Sequence, residues 1–220
     1  MILGDILPPE KFRLPLSLLQ RVAEPKILDV GCGNHSPTAT RKWFPQCVYH
    51  GVDIVEDYNL NEADKKAMQR FIKVEPDGGG YEQIENGAYD FLVMNHVLEH
   101  MPNAMEILDC LLEKLRPGAV VYLAFPSERS LQLPSAQGTL HFCDDSTHVF
   151  VPSVREITNL LLSRGFTIVR AGQSKNPVRW WIGALVLPFR WVQRALTGRM
   201  SAKGLWYVLG FEASVIAVKK

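Results

Sequence analysis

Short apolar runs rich in β-branched residues alternate with helix-length segments along most of this chain. This alternation is typical of β-α-β units, in which a helix crosses back over the sheet between two parallel strands. Helices predicted at 103–115 and 154–165 carry apolar side chains on one face, so we expect them to pack on the sheet. The pattern predicts the α/β class with a mostly parallel, doubly wound sheet. We predict seven strands, at residues 26–30, 48–54, 70–74, 89–95, 119–125, 166–171 and 212–219.

The size and composition favour a single domain over residues 1–220, because 220 residues with 47% hydrophobic content can form one sizeable core. A net charge of +1 gives no general attraction to nucleic acid, so we expect no nucleic-acid partner. The four cysteines form no C-x-x-C pair, so neither a zinc knuckle nor a disulfide framework is predicted. Residues 1–20 do not fit a signal peptide, because Asp5 and two prolines interrupt them. We therefore expect a cytoplasmic protein.

A glycine-containing turn follows the first predicted strand. Gly31 and Gly33 allow the backbone to turn sharply and to approach a ligand closely. A dinucleotide-binding turn would have a third glycine at position 36, where this chain has Ser36, so NAD is not supported. Asp53 ends the second strand, 20 residues after Gly33, where a carboxylate can accept hydrogen bonds from both hydroxyls of a ribose. These residues predict a nucleoside site at the carboxyl ends of the strands.

Four stretches combine these features in a fixed order between residues 26 and 126: "ILDVGCGN", "GVDI", "YDFLVMNHVLEHM" and "LRPGAVVYLAFP". Together they resemble class I S-adenosylmethionine-dependent methyltransferases of the type 11 kind. The resemblance implies a Rossmann-like sheet of seven strands with a C-terminal antiparallel strand, and S-adenosyl-L-methionine as cofactor. It places the adenine near residues 75–77. The cofactor-binding residues that it implies are Asp29, Gly31, Gly33, Asp53, Ile54 and Asn95.

The stretch "NHVLEHMPN" contains the spacing H-x-x-E-H, which is also that of an inverted zinc-peptidase motif. A peptidase would need both histidines on one helix, but a strand is predicted directly before His96, and Pro102 disfavours a helical conformation at the residue before it. The peptidase therefore stays a remote alternative. In the methyltransferase interpretation, His96 follows the fourth strand beside the reacting atoms, and it is our first candidate for a general base. Glu99 and His100 are expected mainly to anchor the loop, with His100 a weaker catalytic candidate.

A metal is a further alternative. Ubiquinone-pathway O-methyltransferases and small-RNA 2′-O-methyltransferases bind a divalent ion through E-x-x-E-H and a later histidine. This sequence keeps Glu99 and His100, and either His141 or His148 could complete the set, but His96 stands where the first glutamate would be. A nitrogen-rich set suits zinc or a transition ion better than magnesium. We predict no metal.

The stretch "HFCDDSTHVFVPSVREI" resembles a D-P-T-H-V segment of bacterial methyltransferases associated with lipopolysaccharide and other surface glycans, with Ser146 in place of the proline. It makes His148 a second candidate base and implies a hydroxyl acceptor on a sugar or a lipid-linked small molecule. The opposing interpretation is that residues 144–148 form only a turn that leads into a helix. The alternative function is a non-catalytic module in a glycan-synthesis complex, which binds the cofactor or its demethylated product.

An insert at about residues 173–210 separates the last two predicted strands, where a short turn would suffice. It holds four of the five tryptophans, with basic and no acidic residues between 178 and 206. Such a composition predicts either peripheral contact with the inner membrane or a protein contact, namely a lid over the active site or a homodimer interface. Pro188 is expected to divide the segment into two short helices.

Overall fold

The computed structural model describes residues 8–76 and 78–220, and a seven-stranded sheet lies at its centre. The first half of the chain forms these elements: α1 (Glu10–Leu18), β1 (Lys26–Val30), α2 (Ser36–Trp43), β2 (Val48–Asp53), α3 (Glu62–Ala67), β3 (Arg70–Lys73), β4 (Tyr89–Asn95) and α4 (Ala104–Glu113). The second half forms β5 (Leu115–Pro126), α5 (Val154–Ser163), β6 (Phe166–Gln173), α6 (Pro177–Thr197), α7 (Trp206–Leu209) and β7 (Glu212–Lys219).

The strand order is β3-β2-β1-β4-β5-β7-β6. The pairs among β1 to β5 are all parallel, and β7 runs antiparallel between β5 and β6. The sheet confirms the predicted α/β class, with its mostly parallel strands and antiparallel C-terminal strand. The strand order reverses between β1 and β4, and in a doubly wound sheet a crevice opens outside the carboxyl ends of the strands at such a reversal.

Apolar layers cover both faces of the sheet, which explains why β4 has six successive buried residues before Asn95. One layer joins α4 and α5 to the sheet through Leu108, Leu111 and Leu161. The other contains Phe12 of α1 and Phe44 after α2. A separate cluster attaches the segment between β6 and β7 to the body of the protein, and its buried members are Leu133, Leu140, Met200, Ala202, Leu205 and Phe211.

The prediction about Pro188 is wrong. The α6 helix runs from Pro177 to Thr197 without a break and contains Pro188. A proline removes one backbone hydrogen bond and crowds the preceding turn, so it can bend a helix without ending it. The many bonds of a 21-residue helix on either side keep it continuous.

No helix within residues 8–76 and 78–220 is both long enough and apolar enough to cross a membrane. Residues 1–7, which form part of the stretch weighed above as a signal peptide, lie outside the described residues.

Candidate active site

A cavity of about 450 Å³ opens at the carboxyl ends of β1 to β4, where the strand order reverses. This volume is in the range of small-molecule sites. Its walls are mainly apolar, with a few polar groups at the rim. The lining residues that matter below are Gly31, Asp53, Ile54, Tyr58, Glu75, Tyr81, His96, Val97, His100, Met101 and Thr147.

Neighbouring side chains leave no space for a Cβ at either glycine of the turn after β1. Gly31 has φ +75°, and a Cβ there would lie 2.3 Å from Cγ2 of Val97. At Gly33 a Cβ would lie 2.6 Å from the ring of Tyr58. Neither position therefore has room for a larger side chain, and of the two glycines Gly31 lines the cavity whereas Gly33 is buried beside it.

Asp29 does not line the cavity. Its buried carboxylate accepts hydrogen bonds from the hydroxyls of Ser36 (2.6 Å) and Tyr49 (2.7 Å). Burial raises the pKa of this carboxyl, against the opposing effects of Lys11 and the two hydroxyls. Ser36, which stands where a dinucleotide-binding turn would have glycine, thus ties the turn to β1. Asp29 stabilises the turn through these hydrogen bonds on the side away from the cavity. Any effect of Asp29 on a ligand therefore acts through the backbone of the turn.

Asp53 and Ile54 both line the cavity at the end of β2. The Oδ1 atom of Asp53 accepts hydrogen bonds from the backbone N–H of Ile54 (2.8 Å) and Val55 (3.3 Å), which fixes the orientation of the carboxylate. Asn95 is exposed at the end of β4 and is not among the lining residues. In the segment predicted to lie near adenine, Glu75 and Pro76 line the cavity, whereas Asp77 lies outside the described residues.

His96 lines the cavity with its backbone in a left-handed conformation (φ +56°), which is uncommon for a residue other than glycine. Its Nδ1 lies 3.1 Å from Oε1 of Glu99, and its Nε2 lies 2.8 Å from Oε2 of Glu212. The ring also contacts the aromatic rings of Trp206 and Phe211, with centroids 5.3 Å and 6.4 Å away.

The two carboxylates determine the charge of His96. Burial on its own would lower the pKa of the imidazole, but the hydrogen bonds and negative charges of Glu212 and Glu99 outweigh burial and raise the pKa to about 9. His96 lowers the pKa of Glu212 in return, against the opposing effect of burial. The imidazole is therefore a cation at neutral pH, and both of its nitrogens have hydrogen-bond partners, which does not suit a general base.

His100 and His148 form a second histidine pair, with ring centroids 4.9 Å apart. The Nδ1 of His148 lies 2.7 Å from the carbonyl oxygen of Phe142, and the Nδ1 of His100 lies 3.2 Å from that of Thr147. A carbonyl only accepts, so both Nδ1 atoms donate, and Nε2 is the basic nitrogen of each neutral ring. His100 lines the cavity and His148 does not.

Glu99, His100 and His148 bring one ligand atom each within 4.8 Å of one another, in the part of the chain that the structure describes. Oε2 of Glu99 is buried and has no hydrogen-bond partner there. One carboxylate and two imidazoles are a donor set that fits zinc or a transition ion. His141 instead accepts from the backbone N–H of Cys143, so of the two histidines considered for a metal only His148 joins this group. His96 does not belong to it, which removes the pair of histidines that a peptidase would need.

Sequence reasoning missed three residues that contact predicted site residues. Trp206 of the insert and Glu212 of β7 contact His96, and Tyr58, which lines the cavity, packs on Gly33. Only Glu212 left a signal, because it is an isolated acidic residue at the start of the apolar strand "EASVIAVK".

Comparison with known proteins agrees with the fold. Residues 8–171 match a family model described as a methyltransferase domain. A trans-aconitate 2-methyltransferase of Rhizobium leguminosarum is 31% identical over 122 residues, which are 53% of this chain and 46% of that protein. A ubiquinone biosynthesis O-methyltransferase of Psychrobacter arcticus is 27% identical over 182 residues, 73% of this chain and 67% of that protein.

Among solved structures, a SAM-dependent methyltransferase from Archaeoglobus fulgidus superposes with a TM-score of 0.57 at 18% identity, over 96% of this chain and 97% of that chain. At this identity the superposition establishes the fold alone. The chain spans about half the length of the trans-aconitate methyltransferase that it matches.

Proposed function

The chain belongs to the family of methyltransferase domains, and from this membership we propose that it methylates an oxygen atom of a sugar or of a lipid-linked small molecule. It is an S-adenosylmethionine-dependent methyltransferase. We also propose that residues 1–220 act as one domain, which carries the segment 173–210 as an insert.

The observation that carries the cofactor part of this proposal is the cavity at the strand-order reversal, with two sterically required glycines and one oriented carboxylate. Gly31 and Gly33 would let the backbone approach the donor, and Asp53 would accept hydrogen bonds from the ribose hydroxyls. Ile54 and Tyr81 offer apolar surface for the adenine. The residues present therefore fit S-adenosylmethionine, whose sulfonium supplies an activated methyl group.

We assign the general base to His100 rather than to His96. The basic Nε2 of His100 belongs to a ring at the cavity wall, and Thr147 orients that ring through two contacts with Nδ1. His148 packs against it and restricts its position. His100 would accept the proton of a hydroxyl acceptor, and the bound cofactor would supply the methyl group to that oxygen and leave as S-adenosylhomocysteine.

His96 has a different proposed role. As a cation held by Glu99 and Glu212 at the cavity wall, it joins the end of β4 to the start of β7, and its ring packs against Trp206. Alignment of the acceptor with the methyl carbon is the main contribution that a protein makes to methyl transfer. The fixed ring of His96 at the cavity wall would serve that alignment.

A carboxylate acceptor is the second candidate. A carboxylate needs no general base, because it is already deprotonated at neutral pH. The similarity to a trans-aconitate 2-methyltransferase supports this alternative. The two acceptors differ in their response to His100→Gln, which would impair methylation of a hydroxyl and leave methylation of a carboxylate nearly unchanged.

Calorimetry with S-adenosylhomocysteine tests the cofactor site. We expect the wild-type protein to bind, and Asp53→Ala to weaken binding by at least about tenfold, because two ribose hydrogen bonds to a charged group are lost. Glu56→Ala is the matched control, since it removes one carboxylate from an exposed neighbouring position outside the cavity. A wild-type protein that does not bind, or equal affinities for the two variants, would contradict the proposed site.

A methylation assay separates the enzyme from a non-catalytic binding module. Transfer of a labelled methyl group to hydroxylated or carboxylated acceptors supports the enzyme. Tight binding of S-adenosylhomocysteine without turnover on either class of acceptor would favour the module.

A further inference from the structure

One side of α6 forms an exposed apolar stripe. Its members follow one another at intervals of one, three or four residues, so they lie on one face of the helix. They are 51% to 80% exposed, although they are all large and apolar. We define the α6 stripe as Val178, Trp181, Ile182, Leu185, Phe189, Val192 and Leu196.

The opposite side of α6 holds the helix to the protein. Gly183 is buried there, and a Cβ at this position would lie 2.5 Å from the carbonyl oxygen of Gly204 and 3.0 Å from Val208. Leu187 packs against the cluster that contains Leu205 and Phe211. These contacts fix the rotation of the helix and leave the α6 stripe exposed to solvent, with Ile182 at its edge also lining a cavity beside α7.

The α6 stripe is not a lid in this arrangement. None of its residues lines the cavity at the ends of β1 to β4. A lid would turn its apolar side toward that cavity to exclude water. The stripe needs a partner outside the described part of this chain, because an exposed contiguous apolar surface of this kind marks an interaction site.

Charge distinguishes the two remaining partners, a second copy of the chain and a lipid surface. Residues 175–211 contain no acidic residue, and their basic residues are Lys175, Arg179, Arg190, Arg194, Arg199 and Lys203. A two-fold contact through the stripe would place the same cations of both copies near one another without an acidic partner from this segment. An anionic lipid surface instead provides negative charge at the level of these side chains.

Two further features agree with a lipid surface. Trp180 and Trp191 lie outside the stripe and are 42% and 48% exposed, and such tryptophans favour the headgroup level of a membrane. A second cavity, of about 460 Å³, opens between α6 and the loop that precedes α7, with Arg179 and Lys203 in its wall. Its cations are suited to the phosphate of a lipid headgroup.

We propose that α6 docks this protein on an anionic membrane surface, with the α6 stripe below the headgroups and the basic residues at the level of the phosphates. The helix is about 30 Å long and lies parallel to the surface, so it rests in the interface and does not span the bilayer. A docked protein would meet its acceptor at the lipid surface, which agrees with the lipid-linked acceptor proposed above.

Co-sedimentation with vesicles tests the apolar part of this proposal. The full chain is mixed with vesicles of phosphatidylcholine alone or of phosphatidylcholine with phosphatidylglycerol, and binding is expected only to the anionic vesicles. The double variant Leu185→Ser/Phe189→Ser is expected to weaken that binding by at least about tenfold. Leu131→Ser/Leu162→Ser is the control, because both of its residues are exposed leucines outside the insert, and its binding should equal that of the wild type.

The charge is tested by Arg199→Gln/Lys203→Gln, which is expected to weaken binding to anionic vesicles by about tenfold. The control Arg21→Gln/Lys66→Gln removes two exposed cations outside the insert and should leave binding unchanged. Binding of S-adenosylhomocysteine is measured for every variant, so a folding failure or a failed cofactor site is recognised separately.

Three results would overturn the proposal: no binding to anionic vesicles, equal binding to neutral vesicles, or equal binding of the stripe variant and its control. A measurement of the oligomeric state by light scattering supplies a fourth result that would overturn it. If the wild type forms a dimer that Leu185→Ser/Phe189→Ser dissociates, the stripe is an interface between two copies.

Discussion

The carboxyl ends of β1 to β4 and the segment from α6 to α7 are built in opposite ways. At the strand ends, close packing leaves no space for a side chain at Gly31 or Gly33. Hydrogen bonds from two backbone N–H groups fix the orientation of the Asp53 carboxylate. On α6, by contrast, large apolar side chains extend into solvent and are mostly exposed. The first region is built for a ligand of fixed shape, and the second for a surface that tolerates variation.

The largest difference between the two regions is expected at Gly31. Gly31→Ala adds a Cβ 2.3 Å from Val97 at φ +75°, so the free energy of unfolding should fall by about 3 kcal/mol, and binding of S-adenosylhomocysteine should be lost. Gly87→Ala is the matched control, since its φ is +63° and nothing lies within 4 Å of the added Cβ. Its expected cost is about 1 kcal/mol. Urea unfolding measures the free-energy cost of both substitutions. Equal costs would contradict the close contact between position 31 and Val97.

The next effect is expected at the ion pair that joins the two regions. Glu212→Gln removes a negative charge beside His96, so the pKa of His96 should fall from about 9 toward or below 6.5. NMR titration of the imidazole measures this change. A pKa that stays near 9 would show that Glu99 alone keeps the ring charged.

The same variant has a predicted pH dependence of stability. Because the folded-state pKa of His96 is raised, its contribution is fully present below about pH 6.5 and is lost as the pH rises through about 9. Glu212 has a lowered pKa, so its contribution is lost as the pH falls below about 4.5. Glu212→Gln should therefore cost about 2 kcal/mol between these limits and progressively less toward pH 9. Urea unfolding at several pH values checks this, and a cost that does not change with pH would contradict the ion pair.

At the cavity wall, His100→Gln should lower kcat for a hydroxyl acceptor by about a hundredfold or more while the affinity for S-adenosylhomocysteine stays unchanged. His141→Gln is the control, because His141 caps a short helix outside the cavity.

The prediction that no metal is required is tested with a chelator, which should leave kcat unchanged. Loss of activity with a chelator and with Glu99→Gln, together with about one metal ion per chain, would instead assign Glu99, His100 and His148 as ligands.

The smallest effect on folding is expected on α6. Leu185→Ser should change the free energy of unfolding by less than about 0.5 kcal/mol, because the side chain is 71% exposed and little packing is lost. Thermal unfolding measures this. A loss comparable to that of Gly31→Ala would mean that the α6 stripe packs on protein and that the contrast between the two regions is wrong.

The sheet and the position of Gly31 and Asp53 at the cavity were predictable from the sequence because they depend on local patterns. The strands β1, β4 and β7 have the predicted bounds. Gly31 after β1 and Asp53 at the end of β2 both line the cavity, because the carboxyl ends of parallel strands lie at one edge of the sheet. The burial of the Asp29 side chain outside the cavity was not predictable, since its direction depends on Ser36 and Tyr49. The partner of His96 was not predictable either, because Glu212 and His96 are 116 residues apart in sequence and meet only in the folded chain.

The position of β7 has a consequence for how the protein forms. Since β7 lies between β5 and β6, β6 has no neighbour in the described sheet until residues 212–219 have been made and inserted. The five parallel strands can assemble earlier during synthesis, but the edge of β5 stays unpaired in that interval and is open to aggregation. Insertion of β7 pairs that edge and brings Glu212 to His96 in one event, so the ion pair that holds His96 at the cavity wall forms only in molecules whose sheet is complete.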